Sequence, residues 1–329
     1  MTLSRFFLFL LPAGFALHRR SYHTATADPA VRRAERTLPG WPAGQPPLRA
    51  LLISDLHVAG PDMPPSRLAR IIAQMNALRP DLVLIAGDLV SDKKWSTRTY
   101  SMDEAIAPLG GLRPALGTFA VLGNHDHWRD AGQARAALRA AGIRVLDNAA
   151  ARAGPLAMGG LDDAFTGRDD VAATLSAIDR AGGVPILLSH SPDPFPQVPR
   201  RVALMVAGHT HCGQIRLPFV GALSTMSEHG DRYACGRIDE GGRTLFVTAG
   251  LGTSLMPLRL GALSEPLTSC PRCRRTWPMP DRIRQGACPR KRSSPNFATC
   301  SAGSFRRKTP VGGAARDGDE RPGRRRVAD

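Results

Sequence analysis

The stretch VLGNHDHW, Val121 to Trp128, sets an apolar run against a dense polar cluster. Phe119-Ala120-Val121-Leu122 reads as a buried strand that stops at Gly123. An amide, two imidazoles and a carboxylate follow at once: Asn124, His125, Asp126 and His127. One such cluster decides little. Its weight depends on whether similar clusters stand behind other strands.

Four others do. Leu51–Ser54 runs into Asp55-Leu56-His57, Val83–Gly87 into Asp88, Ile186–Ser189 into His190, and Met205–Gly208 into His209-Thr210-His211. In open α/β sheets, ligands gather beyond the carboxyl ends of the strands. Five strand ends would therefore bring their polar residues into one crevice. Asp55 and His57 are two residues apart, as are His209 and His211, so extended backbone is expected to send each pair to one face. Gly87, Gly123 and Gly208 each precede a polar residue and suit tight turns. Two carboxylates, one amide and four imidazoles exceed what one cation needs. They suit two adjacent divalent cations drawn from Mn, Fe, Zn or Co, with Mn the first choice. Paired cations of this kind serve phosphate ester cleavage.

Between these strands the pattern is helical. Leu68, Ile71, Ile72, Met75 and Leu78 lie on one face of residues 66–78, with Ser66 as the expected N-cap. Residues 101–109, 130–142 and 170–181 also read as helices, and 143–146, 156–161 and 243–250 as further strands. Apolar strands alternating with helices indicate an α/β protein whose sheet is buried on both faces.

The motifs DLH, GD, GNHD, a lone SH and GHTH, in this order, resemble those of the calcineurin-like metallophosphoesterases. Longer stretches, SHSPDPFPQV (189–198), GHTHCGQIRLP (208–218) and GLGTSLMPLR (250–259), resemble the family's membrane-associated bacterial phosphodiesterase branch. That branch includes enzymes similar to UDP-2,3-diacylglucosamine pyrophosphohydrolase. The resemblance implies a four-layer α/β/β/α sandwich. It implies that Asp55, His57 and His211 hold one metal, that Asn124, His190 and His209 hold a second, and that Asp88 bridges them. A hydroxide between the metals would cleave a phosphodiester or pyrophosphate bond. His125 would donate a proton to the leaving oxygen or stabilise the transition state, and Asp126 would orient His125. Asp126 also has a plainer reading as a turn-forming residue.

Neighbouring residues are read more plainly. His127 is taken as a loop residue, Trp128 as either a rim of the site or a cap on the core, and Cys212 as a small residue rather than an extra ligand. With only Cys212 and Cys235 in the body of the chain, no disulfide framework is expected.

The ends of the 329-residue chain differ from its middle. Residues 1–27 hold a short apolar run, Phe6–Leu17, followed by Arg19 and Arg20, and are expected to be a signal peptide or membrane anchor. An inner-membrane-associated or exported protein follows from either, with the side of the membrane left open. Membrane association and a phosphoester or lipid-linked pyrophosphate substrate are the expected partners. Residues 28–47, rich in Pro, Gly and Arg, read as a linker, and 48–265 as the metallophosphoesterase domain. Residues 266–329 are expected to be a disordered tail, with a composition like an out-of-frame translation in place of a closing strand. Residues 270–329 carry a net charge of +11 out of +16. Basicity that belongs mostly to a tail without an aromatic stacking pattern argues against a nucleic-acid partner. Cys270 and Cys273 form half of a zinc motif that Cys288 and Cys300 do not complete.

Overall fold

Strands that are apolar along their whole length need cover on both faces, and the computed structural model of this chain supplies it. Residues 3–269 are described here. The first half contains α1 (Leu3–Thr26), β1 (Arg32–Ala34), β2 (Ala50–Ile53), α2 (Pro65–Ala77), β3 (Leu82–Ala86), α3 (Met102–Ile106), β4 (Thr118–Val121), α4 (Asn124–Ala140) and β5 (Arg144–Val145). The second half contains β6 (Ala149–Ala153), β7 (Leu156–Gly160), α5 (Val171–Ala181), β8 (Val184–Leu188), β9 (Leu204–Ala207), β10 (Arg216–Leu217), β11 (Gly221–Ala222), β12 (Gly236–Glu240), β13 (Arg243–Val247) and β14 (Leu267–Ser269).

Two six-stranded sheets result, ordered β1-β14-β2-β3-β4-β5 and β12-β13-β9-β8-β7-β6, with β10–β11 as a separate hairpin. The strands that carry the motifs run parallel: β2, β3 and β4 in one sheet, β8 and β9 in the other. Leu52, Leu84, Val121, Ile186, Val206 and Phe246 meet between the sheets. Helices α2, α3 and α4 cover the outer face of the first sheet, where Leu68, Ile71, Ile72 and Met75 are buried. Ile178 of α5 packs on the outer face of the second. The arrangement is the expected four-layer α/β/β/α sandwich.

Local expectations differ in instructive places. Helix α2 starts with Pro65 in its first turn and no side-chain cap, so Ser66 lies inside the helix rather than capping it. Helix α4 begins at Asn124, directly after the strand turn, and is broken at Asp130, whose φ/ψ of −179°/98° is extended. The expected helix at 130–142 is thus the second half of a kinked one.

The expected linker is structured. Arg32–Ala34 pairs in parallel with Leu267–Ser269, which pairs antiparallel with Ala50–Leu52. Arg32 Nε makes an ion pair with buried Glu265, and Ala30 N donates to Ser264 O at 2.9 Å. A short closing strand is therefore present at 267–269, inside the segment assigned to the tail. It is held because its backbone groups find partners on both sides. From residue 270 on, the expected tail and its four cysteines lie outside the described residues. Helix α1 is anchored at its end, with Ala25 buried and Ser21 O accepting from Arg259 N at 3.0 Å. Among the described residues no helix is long and apolar enough to cross a membrane.

Candidate metal centre

Asp55 and His57 follow β2, Asp88 follows β3, Asn124 follows β4, His190 follows β8, and His209 and His211 follow β9. The structure brings all seven together at one end of the space between the sheets, each buried. The backbone route is not the expected one. Asp55, His57, Asp88, His209 and His211 have φ between 44° and 69°, in the left-handed region. The side chains converge through a series of left-handed turns just past the strands, not through the alternation of extended backbone. The space is so tight that a Cβ at Gly123 would collide with the Asp88 carboxylate and the His190 ring. At Gly87, φ is +76° and a Cβ would meet the Gly123 backbone N at 2.6 Å.

Two donor clusters share one carboxylate. In the first, Asp55, His57 and His211 converge: His57 Nε2 lies 3.0 Å from His211 Nε2, and His211 Nε2 lies 3.6 Å from Asp55 Oδ1. In the second, His190 Nε2 lies 3.1 Å from both Asn124 Oδ1 and His209 Nδ1. Asp88 Oδ2 is 3.5 Å from His57 Nε2 and 3.3 Å from His190 Nε2.

Hydrogen bonds behind the rings orient them. His190 Nδ1 donates to Ala86 O at 2.7 Å, and His209 Nε2 donates to Met226 O at 3.0 Å. Assigned that way, His190 Nε2 and His209 Nδ1 turn their lone pairs inward. Asp55 accepts from His209 N at 3.1 Å and from the Ser54 hydroxyl. His57 Nδ1 is buried with no partner among the described residues.

The electrostatics mark a place for cations. Burial pushes His57 and His211 well below the ordinary imidazole range and His209 to about 4, so these rings are neutral donors. Burial acts the same way on His190, but the charge and hydrogen bond of Asp88, with Asp55, outweigh it and carry that ring well above its ordinary value, so its Nε2 holds a proton that a bound cation would displace to gain the lone pair. Burial and the neighbouring Asp88 raise Asp55 to about 6, against the pull of His190. Lone pairs this crowded, with carboxylates drawing positive charge inward, fit two hard-to-borderline divalent cations.

His125 and Asp126 stand beside these clusters. His125 offers a ring nitrogen within 4.8 Å of the His57 and Asp88 donors. Its Nδ1 is bonded to Asp92 Oδ1 at 2.5 Å, and Asp126 does not touch the ring. Asp126 instead accepts from Leu89 N at 2.8 Å and Gly123 N at 3.0 Å. The expected orienting role of Asp126 is corrected accordingly: it ties two turns together, and Asp92 holds the imidazole. Asp92 lies in a polar loop, four residues past Asp88, with no pattern to mark it. His127 is not a free loop residue, since its Nε2 is 2.7 Å from Asp162 Oδ1. Trp128 is 55% exposed and meets His125 edge-on at 4.8 Å, while half-exposed Phe165 sits 4.7 Å from the His209 ring. An aromatic rim therefore flanks the crevice.

Cys212, beside His211, is bonded to Cys235 in a disulfide across 23 residues. That overturns the reading of Cys212 as merely a small residue, and adds one disulfide where no framework was expected. Fully buried Arg259 backs this side, donating through Nη2 to Ala249 O at 2.7 Å and Gly252 O at 2.5 Å, with His211 Nδ1 3.3 Å away.

Comparison with known proteins agrees with this geometry. A zebrafish transmembrane protein with metallophosphoesterase domain is 30% identical over 73% of this chain and 57% of its own. An uncharacterised metallophosphoesterase, YkuE of Bacillus subtilis, is 34% identical over 60% of this chain and 70% of its own. Phosphodiesterase YaeI of Escherichia coli is 34% identical over 67% and 80%. The chain thus spans between half and four-fifths of the length of these relatives. Residues 48–213, half of the chain and all seven converging side chains, match the calcineurin-like phosphoesterase family, and the chain belongs to it.

Proposed function

We propose that the chain is a dinuclear metal-dependent phosphoesterase that hydrolyses phosphodiester or pyrophosphate bonds. The observation that carries this reading is the position of Asp88, within 3.5 Å of a nitrogen donor in each cluster. Asp55, His57 and His211 would hold one cation, Asn124, His190 and His209 the other, with Asp88 shared. When bound, two such cations polarise a phosphoryl oxygen and lower the pKa of water toward about 7. The chain's own residues do the rest. Asp92 fixes His125 through Nδ1 and leaves Nε2 free to hand a proton to the leaving oxygen. Asp126 holds the turns that carry Asp88 and Asn124. Burial of every donor lowers the local dielectric and strengthens the electrostatics of the crevice.

The exposed rings of Trp128 and Phe165 support an apolar group on the substrate, and with the N-terminal apolar segment they favour a lipid-linked phosphodiester or pyrophosphate. The Cys212–Cys235 disulfide supports work in an oxidising compartment, outside the inner membrane. A leader at 1–27 would bring it there. The name of the phosphodiesterase relative is consistent with the diester class.

The test is hydrolysis of bis-p-nitrophenyl phosphate with added manganese, together with elemental analysis. Asp88→Asn is expected to abolish turnover and to lower the divalent metal content. Folded protein that takes up no divalent ion under any loading condition would sink the proposal.

A further inference from the structure

The metal residues occupy one end of the space between the sheets. The opposite end holds a cavity of about 230 Å³. Its walls are apolar: Leu52, Leu84, Leu156, Ile186, Val206 and Phe246 come from both sheets and belong to the core between them. Its outer wall is the segment before β2, whose Leu38, Trp41 and Leu48 pack against the same core. At about 30 Å³ for each water-sized group, it has room for roughly eight of them. Water is a poor occupant, because each molecule needs two to four polar partners and these walls supply few.

Among the described residues one charged group lines the cavity. Arg36 Nε is buried without a partner among the described residues, and Nη2 makes one long bond, 3.4 Å to Gly242 O. No acidic residue among the described residues is in the lining. Asp239, whose carboxylate feels the Arg36 charge, is already held by Arg237 and Thr244. A guanidinium presents its N–H groups as a planar fork, which matches the two oxygens of a carboxylate.

We propose that this cavity binds a medium-length aliphatic chain ending in a carboxylate. The hydrocarbon lies between the sheets and the carboxylate pairs with Arg36. The site is separate from the metal centre, at the other end of the same strands. It accounts for the fold of the Pro-rich segment at 36–48, which closes over apolar walls instead of running free as a linker. Its ligand contacts both sheets and that segment at once, and so binds only the folded chain.

The test uses the full-length, manganese-loaded protein in calorimetric titrations with decanoate and with decanol. Saturable decanoate binding is expected, weakened about tenfold in Arg36→Gln as an ionic hydrogen bond is lost. Decanol binding should be the same in both proteins, because its head is uncharged. Leu204→Trp, which fills the cavity, should remove binding of both. Arg36→Gln should hydrolyse bis-p-nitrophenyl phosphate at the unaltered rate, since Arg36 is remote from the metal residues. If Leu204→Trp fails to fold, Arg36→Gln decides alone. No saturable decanoate binding, or equal decanoate affinity in Arg36→Gln, overturns the proposal.

Discussion

Substituting the two carboxylates that flank His125 separates catalysis from scaffolding. Asp92→Asn leaves the imidazole without its anionic partner, and turnover of bis-p-nitrophenyl phosphate is expected to fall about 10- to 100-fold with metal content unchanged. Asp126→Asn weakens the acceptor shared by Leu89 N and Gly123 N, and is expected to cost about 1–3 kcal/mol in urea unfolding. The opposite pattern, with Asp126→Asn leaving stability intact and slowing turnover, would restore it as the orienting residue. The difference was hidden in the sequence for a physical reason. Asp126 sits one residue from His125 along the chain, but on a helix adjacent side chains diverge. Asp92 is 33 residues away and reaches the ring only because β3 and β4 are neighbours. The seven candidate ligands, by contrast, were legible because each stands directly behind an apolar strand.

Turns, more than strands, give the centre its shape. Five of the seven candidate ligands hold left-handed backbone, which costs a non-glycine residue about 1–3 kcal/mol each. The surrounding loops must over-determine those conformations. One brace is the ion pair of Lys93 Nζ with Asp62 Oδ1 at 2.6 Å, both side chains fully buried, with Thr253 Oγ1 donating to Asp62 Oδ2 at 2.7 Å. It ties the loops after β2, β3 and β13 together. Lys93→Met strands the Asp62 charge and should cost about 3–5 kcal/mol in urea unfolding. An effect below 1 kcal/mol would show the brace to be dispensable. Strand and helix periods revealed the motif-bearing strands and α2, whose buried faces set the pattern. They did not reveal β1, β6, β12 or the β10–β11 hairpin, because β1 and β12 are largely polar, β6 is nearly all alanine, and β10 and β11 are two residues each, too short for a period. The Pro-rich segment before β2 misled for a related reason: composition reports its lack of regular structure, and says nothing of the cavity it closes.

At the scale of the molecule, the centre joins the two sheets. Asp55, His57, Asp88 and Asn124 come from the first, and His190, His209 and His211 from the second. Cations held by both would favour the folded state by about 2.7 kcal/mol at one hundred times their dissociation constant. Stripping with EDTA should therefore lower the melting temperature by roughly 5–10 °C, reversibly on adding manganese. An unchanged melting temperature would mean that the sheets hold together without them. An α/β fold was foreseeable from alternating apolar strands and helices, and the four-layer sandwich from the resemblance that the motifs carry. The pairing of Cys212 with Cys235 was not, since two cysteines 23 residues apart carry no pattern until the chain has folded. That pairing has a consequence for preparing the protein. Made in the glutathione-rich interior of an expression host, the chain would keep both sulfurs as free thiols beside Glu265, a trap suited to zinc. Such a sample should contain more zinc than one matured in the periplasm, and its assayed metal preference would then reflect the host's handling rather than the protein's own chemistry.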